Sequence, residues 1–214
     1  MGLPRDFRPG MQGPLLPKHM WSIRVRLEMA GNKRDLALFN LAVDNKWRDR
    51  DLVGLKVRDV FAAGRVRERA SIIQSKTGNP VRFEITETTR QSLECRIADP
   101  EMIGLDYLWP SRLHHGPHLS TRQYARILRE WVMSIGLEPS PYGTHLMRRT
   151  KVAQTYKNTG NLRAVQLLLG HTKMDSTVRY LGINHEMRSH CQKAVICRRY
   201  SGRYNACRSA HSCR

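Results

Sequence analysis

The sequence predicts a mainly α-helical fold that carries one small antiparallel β-hairpin, an α+β class. Three observations support this. Apolar residues recur at helical spacing in several stretches between residues 17 and 135. Two β-prone runs flank a cluster of turn residues at Lys76–Pro80. No run approaches the roughly 18–20 apolar residues of a membrane span. With 40% hydrophobic residues and a mean hydropathy of −0.54, the 214 residues suit one globular domain with a real core.

Taken in order, residues 1–16 are rich in Pro and Gly and show no period, so they read as a flexible arm. The start also lacks the apolar core of a secretory signal, and a cytoplasmic protein is expected. From Pro17, Met20, Ile23 and Leu27 fit a helical repeat. The alternation of Trp21, Ile23, Val25, Leu27 and Met29 competes with it. Lys33–Asp44 is a clearer helix, with a broad apolar face through Leu36, Leu38, Phe39, Leu41, Ala42 and Val43. Ser71–Gln74 and Val81–Ile85 read as strands on either side of Lys76-Thr77-Gly78-Asn79-Pro80.

Residues 86–98 begin with a capping residue and place Leu93 and Ile97 on one helical face. Pro100–Pro117 is irregular; its His114-His115 pair offers only two adjacent ligands and makes a poor metal site. Ser120–Ile135 is a strong amphipathic helix, ended by Gly136 and Pro139. The tail 185–214 is basic and holds Cys191, Cys197, Cys207 and Cys213. It contains no C-x-x-C knuckle, and a disulfide framework does not suit a cytoplasmic chain. A disordered tail is expected there.

Charge narrows the function. The chain carries 37 Lys+Arg against 18 Asp+Glu, a net +19 and a pI of about 10.5. A folded chain this basic points to a polyanionic partner, most simply nucleic acid. The segment from Gly143 to Gly182 then supplies chemistry. His145 and Arg148, three apart, would share a helical face. His171 follows an apolar run ended by Gly170, and Tyr180 comes nine positions after His171. Arginine grips phosphate with a two-pronged donor, histidine moves protons near neutral pH, and tyrosine is a competent covalent nucleophile.

H-x-x-R, then L-L-G-H, then a tyrosine nine residues on resembles the C-terminal signature of the tyrosine recombinases, the phage-integrase family. Two earlier motifs extend the resemblance. Lys76 stands in K-T-G-x-P, a pattern on which the family carries its catalytic lysine. Aligning DLVGL with the family's apolar turn places Arg48 in the first arginine slot and Asp51 in the acidic slot. Arg50 is the competitor, and Asn45-Lys46-Trp47 departs from the usual T-G-L. The candidate set is therefore Arg48, Lys76, His145, Arg148, His171 and Tyr180.

The resemblance implies a recombinase catalytic domain at 17–184 that breaks and rejoins double-stranded DNA through a 3′-phosphotyrosine, with no cofactor or metal. The two arginines would hold the non-bridging oxygens, His145 would take the phenol proton, Lys76 would protonate the leaving 5′-oxygen, and His171 would donate to phosphate. It also implies a dimer or tetramer on paired DNA sites. The family's N-terminal DNA-clasping domain would be missing, as in short recombinases resembling fimbrial phase-switch invertases, which leads one to expect weak non-specific affinity with cooperative binding. Three alternatives stand beside it. A type IB topoisomerase commonly has lysine where His145 stands. A catalytically dead relative would keep only the basic surface, and a plain nucleic-acid-binding module would not explain the spacings.

Overall fold

In the computed structural model the described residues are 14–45, 47–75, 78–111, 116–140, 142–143, 145–169, 174–175 and 177. They fall into two compact units, the first running to Gln154 and the second starting at Thr155.

Helix α1 (Pro17–Met29) opens on a proline, at a helix position where the missing N–H leaves nothing unpaired. It buries Met20, Ile23 and Leu27, so the helical repeat prevails and the alternating residues Trp21 and Met29 face outward. Helix α2 (Lys33–Asp44) is capped by Asn32, whose side chain accepts the Asp35 N–H. Every residue from Ala37 to Val43 is buried, because α2 packs against both α1 and α5 (Glu87–Ile97). Phe39 also meets Trp131 of α6 (Thr121–Ser134) edge-on at 5.4 Å. The core is centred on α2.

Residues 45–66 contain four short elements. These are α3 (Asp49–Val53), α4 (Val57–Val60), β1 (Phe61–Ala62) and β2 (Arg65–Val66). Ala63 and Gly64 join β1 to β2 with φ of 51° and 76°. Two positive φ values in a two-residue connection match the twist of a hairpin. The second hairpin pairs β3 (Arg69–Ile73) with β4 (Pro80–Glu84), Ser71 opposite Arg82 and Ile73 opposite Pro80. Both strands begin earlier than expected, because Ala70, Ile72 and Phe83 supply the inward face and their pairing fixes the register. The two hairpins form separate sheets.

Helix α5 is capped by Thr86, which accepts the Thr89 N–H. The hydroxyls of Thr86 and Thr89 both donate to the Asp44 carboxylate at the end of α2. Two donors thus offset the poor fit of an anion at a helix C-terminus. The irregular stretch after α5 is stitched onto α3 and α4. Trp109, fully buried, donates its indole N–H to the Leu52 carbonyl at 2.9 Å, and the Leu108 N–H reaches the Leu55 carbonyl at 3.0 Å. Ser120 caps α6 by accepting the Gln123 N–H, and the buried stripe is Tyr124, Ile127, Leu128, Trp131 and Val132.

Helix α7 (Leu146–Thr159) buries Leu146, Met147, Thr150 and Val152. Its Thr150 hydroxyl accepts the N–H of Leu15 at 3.0 Å, and the Leu15 side chain is buried. The expected arm at 1–16 is therefore anchored at Leu15, while residues 1–13 lie outside the described ones.

In the second unit, Gly160 adopts a φ of 62° and its N–H returns to the Tyr156 carbonyl at 2.8 Å, a left-handed stop to α7. Asn161 caps α8 (Leu162–Leu169) by accepting the Ala164 N–H at 3.0 Å. Val165 and Leu169 are buried, and Leu169 is the last described residue of α8.

Candidate active site

Arg48 occupies the N-cap position of α3 with an extended backbone, φ −77° and ψ 150°. That conformation turns its side chain toward the second hairpin. One guanidinium nitrogen, Nη1, donates to Gln74 Oε1 at 3.3 Å, and the residue is half-buried. Arg50, the competing arginine, is exposed. One helical turn after Arg48, the buried carboxylate of Asp51 accepts the Ser75 N–H at 2.9 Å through Oδ1. Its Oδ2 has no hydrogen-bond partner among the described residues.

The start of α3 is thus fastened by two side chains, three residues apart, to the two consecutive residues that follow β3. The hairpin closes locally as well. Gln74 N–H donates to the Asn79 carbonyl at 3.0 Å, the Gly78 N–H to the Gln74 carbonyl at 2.9 Å, and Gly78 takes a φ of 67°. Lys76 and Thr77, between these anchors, lie outside the described residues.

Trp47, which departs from the family's usual residues, is buried and meets Phe83 of β4 edge-on at 4.1 Å. It fixes the backbone immediately ahead of Arg48.

His145 lies just before α7 and not within it. It is exposed, and its carbonyl accepts the Arg149 N–H at 3.0 Å, so it is the capping residue of the helix. Arg148 lies inside α7, three residues after this capping position. A chain entering a helix must leave one residue outside it to accept the first i+4 bond, and that residue is His145.

Arg148 is half-buried and lines a cavity of about 10 Å³ together with Asn45, Trp47, Asp49, Leu52, Tyr124 and Met147. That volume holds one water at most, so the packing here is close. The residues on either side of Arg48, Trp47 and Asp49, both line this space. The first unit therefore brings the Arg48 segment and Arg148 together from positions about a hundred residues apart. Tyr124, on the same cavity, is wholly buried. Burial first, then the Asp49 carboxylate, push its phenol far above the ordinary tyrosine range. Tyr124 keeps its proton and is no rival nucleophile.

His171 and Tyr180 lie outside the described residues, as do His114, His115 and the cysteine-bearing tail. Three residues at the site escaped sequence reasoning: Gln74, Asp49 and Tyr124. Gln74 carried a usable signal, since it stands two positions ahead of Lys76 in the same turn. Asp49 and Tyr124 carried none, because their roles depend on contacts across the fold.

Residues 23–187 match the family model described as Phage integrase family. The chain belongs to the phage integrase family. All six candidate residues fall inside the matched span. The probable integrase/recombinase YoeC of Bacillus subtilis is 32% identical over 155 residues, 72% of this chain and 81% of that protein. The tyrosine recombinase XerD of Bradyrhizobium diazoefficiens is 30% identical over 146 residues, 62% of this chain and 46% of its own length. This family member thus spans most of YoeC but about half the length of XerD. Among solved structures, the XerA recombinase gives a TM-score of 0.67 at 19% identity, covering 87% of this chain and 66% of that one. The XerH site-specific recombinase bound to difH substrate gives 0.65 at 15% identity, covering 87% and 56%. At such identities the structural likeness speaks for the fold: a mainly helical integrase-family body with small antiparallel sheets.

Proposed function

We propose that this integrase-family chain is a site-specific recombinase acting on double-stranded DNA. It breaks and rejoins strands through a 3′-phosphotyrosine, and it works as a dimer or tetramer on paired sites in the cytoplasm. The observation that carries this reading is the convergence of the Arg48 segment and Arg148 around one closely packed cavity. A phosphodiester in attack gains negative charge on its non-bridging oxygens, and two positioned guanidiniums answer that charge. Losing one such group typically costs about 3–4 kcal/mol of barrier. Net charge of +19 supports DNA as the substrate, and the XerH structure is described as a site-specific recombinase bound to difH substrate.

In the proposed step the Tyr180 oxygen attacks phosphorus in line and the bond to the 5′-oxygen breaks. His145 accepts the phenol proton; its exposed position at the head of α7 leaves the imidazole open to a substrate. Lys76 gives a proton to the leaving 5′-oxygen, and His171 donates to a phosphate oxygen. One ester replaces another, so rejoining to a new 5′-hydroxyl needs no ATP.

The test is covalent trapping without metal or ATP, on nicked duplexes carrying inverted repeats selected by the protein from a random pool. Wild type is expected to give an adduct that survives denaturation, and Tyr180→Phe none. An adduct of equal yield from both would move the nucleophile elsewhere, with Tyr156 the next to replace. A wild type that binds the duplex and never forms the adduct would sink the reading.

A further inference from the structure

We propose that Gln74 is a positioning residue for the reaction, holding the Arg48 guanidinium at the angle it presents to phosphate. The inference rests on the reading of Arg48 as a phosphate-holding group and adds to it a residue outside the candidate set. Gln74 Oε1 accepts from Arg48 Nη1 at 3.3 Å. The amide is half-buried, and its own backbone is locked on both sides by the turn-closing bonds with Asn79 and Gly78. One residue on, the Ser75 N–H is held by Asp51. The acceptor thus sits on a doubly fastened piece of backbone, which gives a flexible arginine a fixed point.

The chemistry of the acceptor matters as much as its place. Arginine carries several donors in a planar fork, and a bond to one nitrogen leaves the others to meet phosphate oxygens. A carboxylate in this position would hold the fork equally well but would neutralise the charge needed by the transition state. A neutral amide orients without discharging. The long 3.3 Å separation fits that role, since the bond steers the guanidinium while leaving it able to shift toward a substrate.

The discriminating substitution is Gln74→Met, which keeps the length and bulk of the side chain and deletes the acceptor. On the nicked duplex described above, single-turnover adduct formation is expected to fall about tenfold, the scale of one lost orienting hydrogen bond. Duplex affinity and melting temperature should stay at wild-type values. Gln74→Glu should be slower still, though it restores an acceptor.

Arg48→Lys, which lacks the fork, supplies a double-mutant cycle: adding Gln74→Met to it should change the rate less than about twofold, because the partner to be steered is already gone. The inference is overturned if Gln74→Met cleaves as fast as wild type. It is equally overturned if its defect multiplies on top of Arg48→Lys, or if it is matched by loss of duplex affinity or melting temperature. A wild type that forms no adduct overturns the recombinase reading and this inference together; a wild type that cleaves, with Gln74→Met equally fast, overturns this inference alone.

Discussion

Among the described residues, Ala63 is the only non-glycine with a positive φ, 51°. A Cβ in the left-handed region crowds the following carbonyl, at a penalty of roughly 1–2 kcal/mol that glycine escapes and asparagine partly escapes. Ala63→Asn should therefore raise stability by about 0.5–1 kcal/mol, read as a higher urea midpoint at unchanged slope. Residues at the site show how far a sequence reading reaches. Arg48 could be chosen over Arg50 by register, and the structure puts Arg48 against the hairpin and Arg50 in solvent. Its acceptor Gln74 could not be chosen that way, because it lies 26 positions away and only the folded hairpin brings the two together. Spacing alone places His145 one turn ahead of Arg148; that it caps the helix, with α7 starting at Leu146, takes the folded backbone to see.

At the level of elements, helices with a full apolar stripe were readable almost to the residue. Lys33–Asp44 appears as expected, and Ser120–Ile135 appears with those two residues as its caps. Helices α3 and α4, of five and four residues, are too short to display a period, so the sequence alone shows neither. Strand ends moved because pairing partners, not local propensity, fix where a ladder starts.

The first turn of α5 offers a test in solution. Hydrogen bonds from Arg90, foremost, and then from Gln91 hold the Glu87 carboxyl below its usual range. A lowered carboxyl stabilises the fold above its ordinary pKa and stops doing so as pH falls through the folded value. Wild type should therefore melt above Glu87→Gln near pH 7, and the gap should close as pH falls through the lowered folded value. A gap that survives acid would show that the carboxylate's charge is not responsible.

Across the molecule, charge and fold answer different questions. The net +19 names the partner class and says nothing about which side chains converge. Convergence comes from the core around α2, which seats α1, α5 and α6 and leaves Arg148 facing the Arg48 segment. A long-range tie in the first unit is the bond from Leu15 N–H to Thr150, joining residues 135 apart in sequence. Thr150→Val should lower unfolding free energy by about 1–3 kcal/mol, since it strands a buried donor; chemical denaturation would measure it.

That bond also carries a consequence for biosynthesis. Leu15 leaves the ribosome long before its acceptor exists. At about 5–20 residues per second, the intervening chain takes roughly 7 to 27 seconds to make. Until then Leu15, just ahead of α1, has nowhere to dock. The segment that leads into α1 is completed by one of the last pieces of the unit to be translated.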